Sequence, residues 1–173
     1  MAADRQVLHR GAKWSLELVE FRSRSGKAVR REVVRHPGAV IVLPILDDGR
    51  IVLIRNHRVS LDKELYELPA GTLEAGEPPE ACAKRELHEE AGYLAATWVP
   101  LGRFYTSPGL SDELMWAFAA KNLEAVGQKL EEDERLTVHP TSAAAVWEMM
   151  DKHELVDAKS MLTMMLAERR GVL

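Results

Sequence analysis

The chain has 173 residues, 46% hydrophobic and 29% charged, with 23 Lys+Arg against 27 Asp+Glu and a formal net charge of −4. That is the profile of an ordinary globular protein with one substantial core, and it gives no general drive toward nucleic acid or an anionic membrane surface. Cys82 is the only cysteine, so no intrachain disulfide can form, which suits a reducing compartment. The opening "MAADRQVLHRGAKW" lacks an apolar core of signal-peptide length, and no run approaches a membrane span. The expected location is cytoplasmic.

In chain order, "WSLELVEFRSRSGKAVRREVVRH" alternates apolar and polar residues on both sides of "SRSGK". It predicts a β-hairpin with Gly26 in the turn. "GAVIVLPIL" and "RIVLIRNHR" are dense in β-branched residues and predict two buried strands joined by a tight turn at "DDG". "LYELPAG" reads as a short extended piece. A helix follows, with Pro78 and Pro79 in its first turn, where N–H groups lack partners anyway. Gly92 is placed for a left-handed C-terminal cap. "TWVPLGRFYTSPG" and "ELMWAFAAKNL" predict strands around a Pro-Gly turn, and "EEDERLTVH" an acidic loop running into a strand. "TSAAAVWEMMDKH" and "DAKSMLTMMLAERR" predict two terminal helices, the second capped by Asp157. The order implies an α/β fold with a mixed sheet and helices packed on it.

Within the first helix, Glu86 neighbours Glu89 at i+3 and Glu90 at i+4, so three carboxylates share one face. Exposed like-charge pairs cost only about 0.2–0.5 kcal/mol each, so a solvated acidic face is energetically acceptable. The register says more. Gly71, Glu77, Arg85, Glu86, Leu87, Glu89, Glu90, Gly92 and Tyr93 reproduce the pattern G-x5-E-x7-R-E-U-x-E-E-x-G-U, with Tyr93 taken as the final apolar U. This is the Nudix box, and the chain resembles a Nudix hydrolase along nearly its whole length.

The resemblance implies a Nudix α/β/α sandwich over residues 37–173, preceded by a small β-hairpin domain at 1–36 that mediates dimerisation. It implies hydrolysis of a nucleoside diphosphate linked to another group, with Mg²⁺, or alternatively Mn²⁺, as the cofactor. Hard carboxylate oxygens on a rigid helix suit such an ion, and the ion relieves their crowding. Glu86, Glu90 and the Ala70 carbonyl are the implied metal ligands, with Glu89 as a further ligand or orienting group. Glu77 and Arg85 would pair to fix the loop–helix junction, and Gly71 would allow a sharp backbone turn.

Four other stretches narrow the substrate. "TSPGLSDE" places Pro108 sixteen positions after Gly92 and resembles the ADP-ribose pyrophosphatase subfamily. That implies substrate contacts from Ser107, Pro108, Gly109 and Glu113; the plain alternative is a Pro-Gly turn. "EEDE" resembles the subfamily's acidic loop, implying Glu132 as general base and Glu134 near the metals, with Glu131 the neighbour if the register slips by one. "IRNHRVS" keeps Arg55 and Arg58, whose planar forks suit phosphate and ribose oxygens, although Asn56 and His57 depart from the usual pattern. The basic hairpin implies phosphate contacts from Arg30 or Arg31 and an adenine platform from Trp14 or Phe21. It also implies a homodimer with exchange of N-terminal domains. The expected substrate is ADP-ribose, cleaved to AMP and ribose 5-phosphate. GDP-mannose or ADP-glucose is the near alternative, and a non-catalytic ligand-binding module the distant one. No nucleic-acid or membrane partner is expected. His88, at an unspecified box position, reads as a surface residue, and Cys82 as helix packing.

Overall fold

The computed structural model describes residues 4–130, 132 and 135–173. Strands β1 (Asp4–Arg10), β2 (Ser15–Arg22) and β3 (Ala28–Arg35) form an antiparallel sheet in that order. The expected hairpin is β2–β3, with Gly26 at φ 81° in its turn. The strand β1 is an addition that the alternation did not signal: all seven of its residues are exposed. The last strand leads into the main body. Arg35 bridges Glu17 (2.9 Å) and Asp112 (2.9 Å), and Val34 N–H donates to the Leu110 carbonyl.

The main body holds two sheets. One runs β7 (Ala70–Thr72), β4 (Ala39–Pro44), β9 (Leu114–Ala125) and β8 (Tyr93–Tyr105), with β4 and β9 parallel and the other pairs antiparallel. The second runs β10 (Leu136–Ser142), β5 (Arg50–Arg58) and β6 (Lys63–Glu67), all antiparallel. The strands β4 and β5 therefore do not form the hairpin that their short connection suggested. They share only the bridge Ile45–Ile51, and each feeds a different sheet. All of β4 and residues 51–54 of β5 are apolar and buried on both faces, so neither run had a solvent side to declare its sheet.

β4 is buried along its whole length, and its alternate residues face opposite layers. Val40 and Val42 pack with Cys82, Ala83, Leu87 and Ala91 of the first helical segment. Ile41 and Leu43 pack with Val146, Met164 and Ala167 of the two terminal helices. Helices on both faces of a mixed sheet give the expected α/β sandwich. Each fully buried aliphatic side chain here contributes about 1.5–3 kcal/mol. The terminal helices are α2 (Ala143–Asp151), capped by Ser142 accepting from Ala145 N–H, and α3 (Ala158–Arg169), capped by Asp157 accepting from Ser160 N–H.

The helix that carries the acidic cluster begins as expected, with Pro78 at the cap and Pro79 first in α1 (Pro79–Glu86). It does not continue as an α-helix to Gly92. Leu87–Ala91 forms a wider π-type turn, closed by Gly92 at φ 75°. A Cβ on Gly92 would lie 2.7 Å from Gln128 N and from Gly127 C, so that position needs glycine twice over. The π turn alters the spacing argument. Glu89 and Glu90 lie on a turn wider than the 3.6-residue period, a device common at functional sites.

Candidate functional site

Four connected segments form one wall of a cleft of about 1030 Å³: the Ala70–Ala75 loop, α1, its π turn and the end of β5. Glu86, Glu89 and Glu90 all line it, as do Glu132, Arg135 and Leu136. Glu86 and Glu90 are buried, at 7% and 5% exposure. That disposes of the solvated-face reading, because carboxylates are rarely this buried without charged or hydrogen-bonding partners.

Arg85 organises the cluster. Its Nε and Nη2 grip Glu77 at 3.1 Å each, its Nη1 donates to Glu86 Oε1 at 2.7 Å and to Glu89 Oε2 at 2.9 Å, and its Nη2 reaches the Thr72 carbonyl at 3.3 Å. The hydrogen bonds from Arg85 bring the Glu77 carboxyl down to about 2, and those same bonds push the guanidinium up. Glu77 also accepts from Glu74 N–H at 3.0 Å, so through Glu77 the loop is tied to Arg85 of the helix. Burial pushes the Cys82 thiol up, in keeping with a packing residue.

The loop approaches the helix from the other side. Ala70 N–H donates to Glu90 Oε2 at 2.7 Å. Gly71 is not in the left-handed region, so the sharp-turn explanation is corrected. Its requirement is space: a Cβ there would stand 1.8 Å from Glu86 Oε1 and 1.9 Å from its Cδ. Glycine lets the Glu86 carboxylate lie against the loop backbone.

Glu86, Glu89 and Glu90 offer hard carboxylate oxygens, and the Ala70 backbone lines the cleft with them. That chemistry fits a divalent cation of the Mg²⁺ type. Among the described residues, no three acidic, histidine or cysteine side chains already converge as a cage. Arg85 Nη1 pairs with both Glu86 and Glu89, and a metal ion binding those oxygens would compete with it.

Arg58 also lines the cleft, with its Nε on Glu67 Oε1 at 2.7 Å and its Nη2 on Glu67 Oε2 at 2.5 Å. The remaining expected contacts lie off the cleft within one chain. Arg55 pairs with Glu64 at 2.7 Å and stacks over Tyr66. Arg30 pairs with Glu20, and Arg31 bonds the Arg30 carbonyl. Ser107, Pro108 and Gly109 belong to the turn between β8 and β9, where the Ser107 carbonyl accepts from Leu110 and Ser111. Glu113 accepts from Thr106 Oγ1 at 2.5 Å. Phe21 is exposed on the N-terminal sheet, and Trp14 lines a smaller hollow beside the cleft with Arg10, Lys13 and His36. Glu131 and Glu134 lie outside the described residues.

Sequence reasoning missed Lys13, Asn56, His57 and Arg135 as cleft residues. It also missed Glu67, 1% exposed, and its partner Lys159. A glutamate in an otherwise apolar "LYELPAG" was the available signal for Glu67.

Residues 34–165 match the NUDIX domain family. The ADP-ribose pyrophosphatase of Bacillus subtilis (strain 168) is 42% identical over 138 residues, covering 79% of this chain and 75% of that protein. The methanol dehydrogenase activator of Bacillus methanolicus is 37% identical over 142 residues, covering 80% and 76%. A solved structure described as an ADP compounds hydrolase has a TM-score of 0.81 and 24% identity, covering 96% of this chain and 90% of that one, a likeness of fold. Gly71, Arg85, Glu86, Glu89 and Glu90 of the box line one cleft, Arg85 ties Glu77, Glu86 and Glu89 together, and the family match runs through most of the sequence: the chain belongs to the Nudix family.

Proposed function

We propose that the chain hydrolyses the pyrophosphate bond of ADP-ribose to give AMP and ribose 5-phosphate. One observation carries the reading. The buried acidic face of α1, ordered by Arg85 and backed by Ala70 and Gly71, lines a cleft of about 1030 Å³, roomy enough for a nucleoside diphosphate sugar. The 42% identity to an ADP-ribose pyrophosphatase supports this choice of sugar nucleotide.

Nudix ADP-ribose pyrophosphatases depend in general on divalent metal. Here the ion would be Mg²⁺, with Mn²⁺ as the alternative, held by Glu86, Glu90 and the Ala70 carbonyl, with Glu89 as ligand or orienting group and Glu134 approaching from the acidic loop. Such an ion neutralises phosphate oxygens and lowers the pKa of bound water. Glu132, which also lines the cleft, would accept the proton of the attacking water. Arg85 and Glu77 would hold the carboxylates in register, and Arg58 would offer its planar fork to phosphate oxygens.

Arg55, Ser107, Pro108, Gly109, Glu113, Arg30 and Arg31 would act only where a second copy completes the site. The proposal therefore includes a homodimer in which the unit at 1–36 crosses to the partner's 37–173. It also includes a cytoplasmic location. Among the described residues no helix is long and apolar enough to cross a membrane.

Hydrolysis rates on ADP-ribose, ADP-glucose and GDP-mannose, each with Mg²⁺ and Mn²⁺, test the substrate. Finding ADP-ribose among the poorest would overturn that choice. Glu90→Gln should abolish metal-dependent turnover while leaving the fold intact. A pure binding module would have no turnover to lose.

A further inference from the structure

Glu67 is a carboxylate at 1% exposure, in contact with two cations from different elements of the fold. Arg58 reaches it from β5 with Nε and Nη2, and Lys159 reaches it from α3 with Nζ at 2.5 Å. Lys159 also contacts Asp157 Oδ1 at 2.9 Å, and Asp157 caps α3 through Ser160 N–H. Ser160 Oγ in turn accepts from Leu68 N–H at 2.8 Å. The first turn of α3 is thus latched to the end of β6 at two consecutive residues.

The strand register shows what this latch does to Arg58. Glu67 pairs with Ile54, whereas Arg58 pairs with Lys63. The Arg58 guanidinium therefore lies back along the sheet, past Asn56, to reach Glu67. An arginine at a strand end, 38% exposed, would otherwise sample extended rotamers in water. With Nε and Nη2 committed, Nη1 has no hydrogen-bond partner among the described residues, and Arg58 lines the cleft. A buried ion pair is weak evidence for stability and is better understood as fixing geometry.

We infer that Lys159 and Glu67 are positioning residues: together they hold the Arg58 guanidinium, pre-ordered, for the phosphate oxygens of the substrate. This rests on the proposed diphosphate hydrolysis. Among the described residues Lys159 is connected to the cleft through Glu67 and Arg58, so its effect on the substrate must vanish when Arg58 is absent.

Two readouts test it. In steady-state ADP-ribose hydrolysis, Lys159→Met should raise KM at least about fivefold with kcat within about twofold, and Lys159→Arg should restore most of the loss. In an Arg58→Ala background, Lys159→Met should change kcat/KM by less than about twofold. An equal loss in both backgrounds, or an unchanged KM in folded Lys159→Met protein, overturns the inference. The second readout needs no substrate. The Arg58 Nε–H resonance, assigned by its loss in Arg58→Ala, should be ordered in the wild type and mobile in Lys159→Met. Glu67→Gln serves as the second variant should Lys159→Met not fold, and it should mobilise the same resonance. A resonance that stays ordered in the folded variant refutes the latch. Wild-type protein that turns over no ADP-ribose, with the resonance behaving as expected, sinks the proposed function alone.

Discussion

Gly71→Ala separates activity from folding more cleanly than any change to a charged residue. The new Cβ would stand 1.8 Å from Glu86 Oε1 and 2.4 Å from Oε2. Ordinary contact begins near 3.4 Å, so the carboxylate must retreat by about 1.6 Å. The backbone at residue 71 is not left-handed and accepts alanine without strain. The atoms that must move are the tip of a glutamate side chain, and replacing glycine restricts the unfolded chain by about 0.4–1 kcal/mol in favour of folding. Stability should therefore change by less than about 1 kcal/mol. The catalytic geometry should not survive, because a displacement of about 1 Å in a positioned group costs on the order of 10²-fold in rate. The assay pairs metal-dependent ADP-ribose hydrolysis with urea unfolding of the same preparation. A Gly71→Ala protein within about threefold of wild-type turnover would refute the claim that glycine is there to admit the Glu86 carboxylate. A loss of activity in step with a large loss of stability would place its role in the fold instead.

Three further outcomes follow from the same geometry. Glu132→Gln should lower kcat by at least about 10² if this side chain takes the water's proton; a near-wild-type rate would shift the role to Glu131, Glu134 or Glu89. The Glu77 carboxyl is lowered from 4.5 to about 2 by Arg85, so between those values the unfolded chain binds this proton and the folded chain resists it. Stability from the Glu77–Arg85 pair is thus present above 4.5 and lost as pH falls toward 2, and acid-unfolding curves of Glu77→Gln should lack this component. Asp157→Ala removes the cap of α3 and one partner of Lys159, and should cost about 1–2 kcal/mol by urea unfolding.

What the sequence made legible was whatever rests on local spacing. The acidic cluster Glu86, Glu89 and Glu90 was legible because its members lie within five residues of one another, and the box pattern from Gly71 to Tyr93 is itself a local spacing. Asp157 and Gly92 were readable for the same reason, since caps are local. The strand β1 left no trace because none of its seven residues is buried: it is held by backbone pairing to β2, and a strand without a core face has no alternation to show. The division of β4 and β5 between sheets was hidden because all of β4 and the Ile51–Ile54 run of β5 are apolar at every position. The π turn at Leu87–Ala91 occupies only five residues, too few for any periodicity to distinguish it from an α-helical turn.

Glu67 shows where local reading stops and why. In "LYELPAG" it looks like one polar residue on a half-buried strand. Its burial is tolerable only because Arg58, nine residues earlier, and Lys159, 92 residues later, both donate to it. Burial by itself would raise this carboxyl, but the hydrogen bonds and charges of Arg58 and Lys159 override it and leave it lowered. The same reasoning applies across the cleft. Glu86 is also a buried acid, but its cation partner, Arg85, is the adjacent residue and belongs to the same sequence pattern. A buried charge is thus visible in sequence to the extent that its compensating charge is near in the chain. Charges compensated from a distance, as at Glu67, are where a site's supporting structure must be read from the fold.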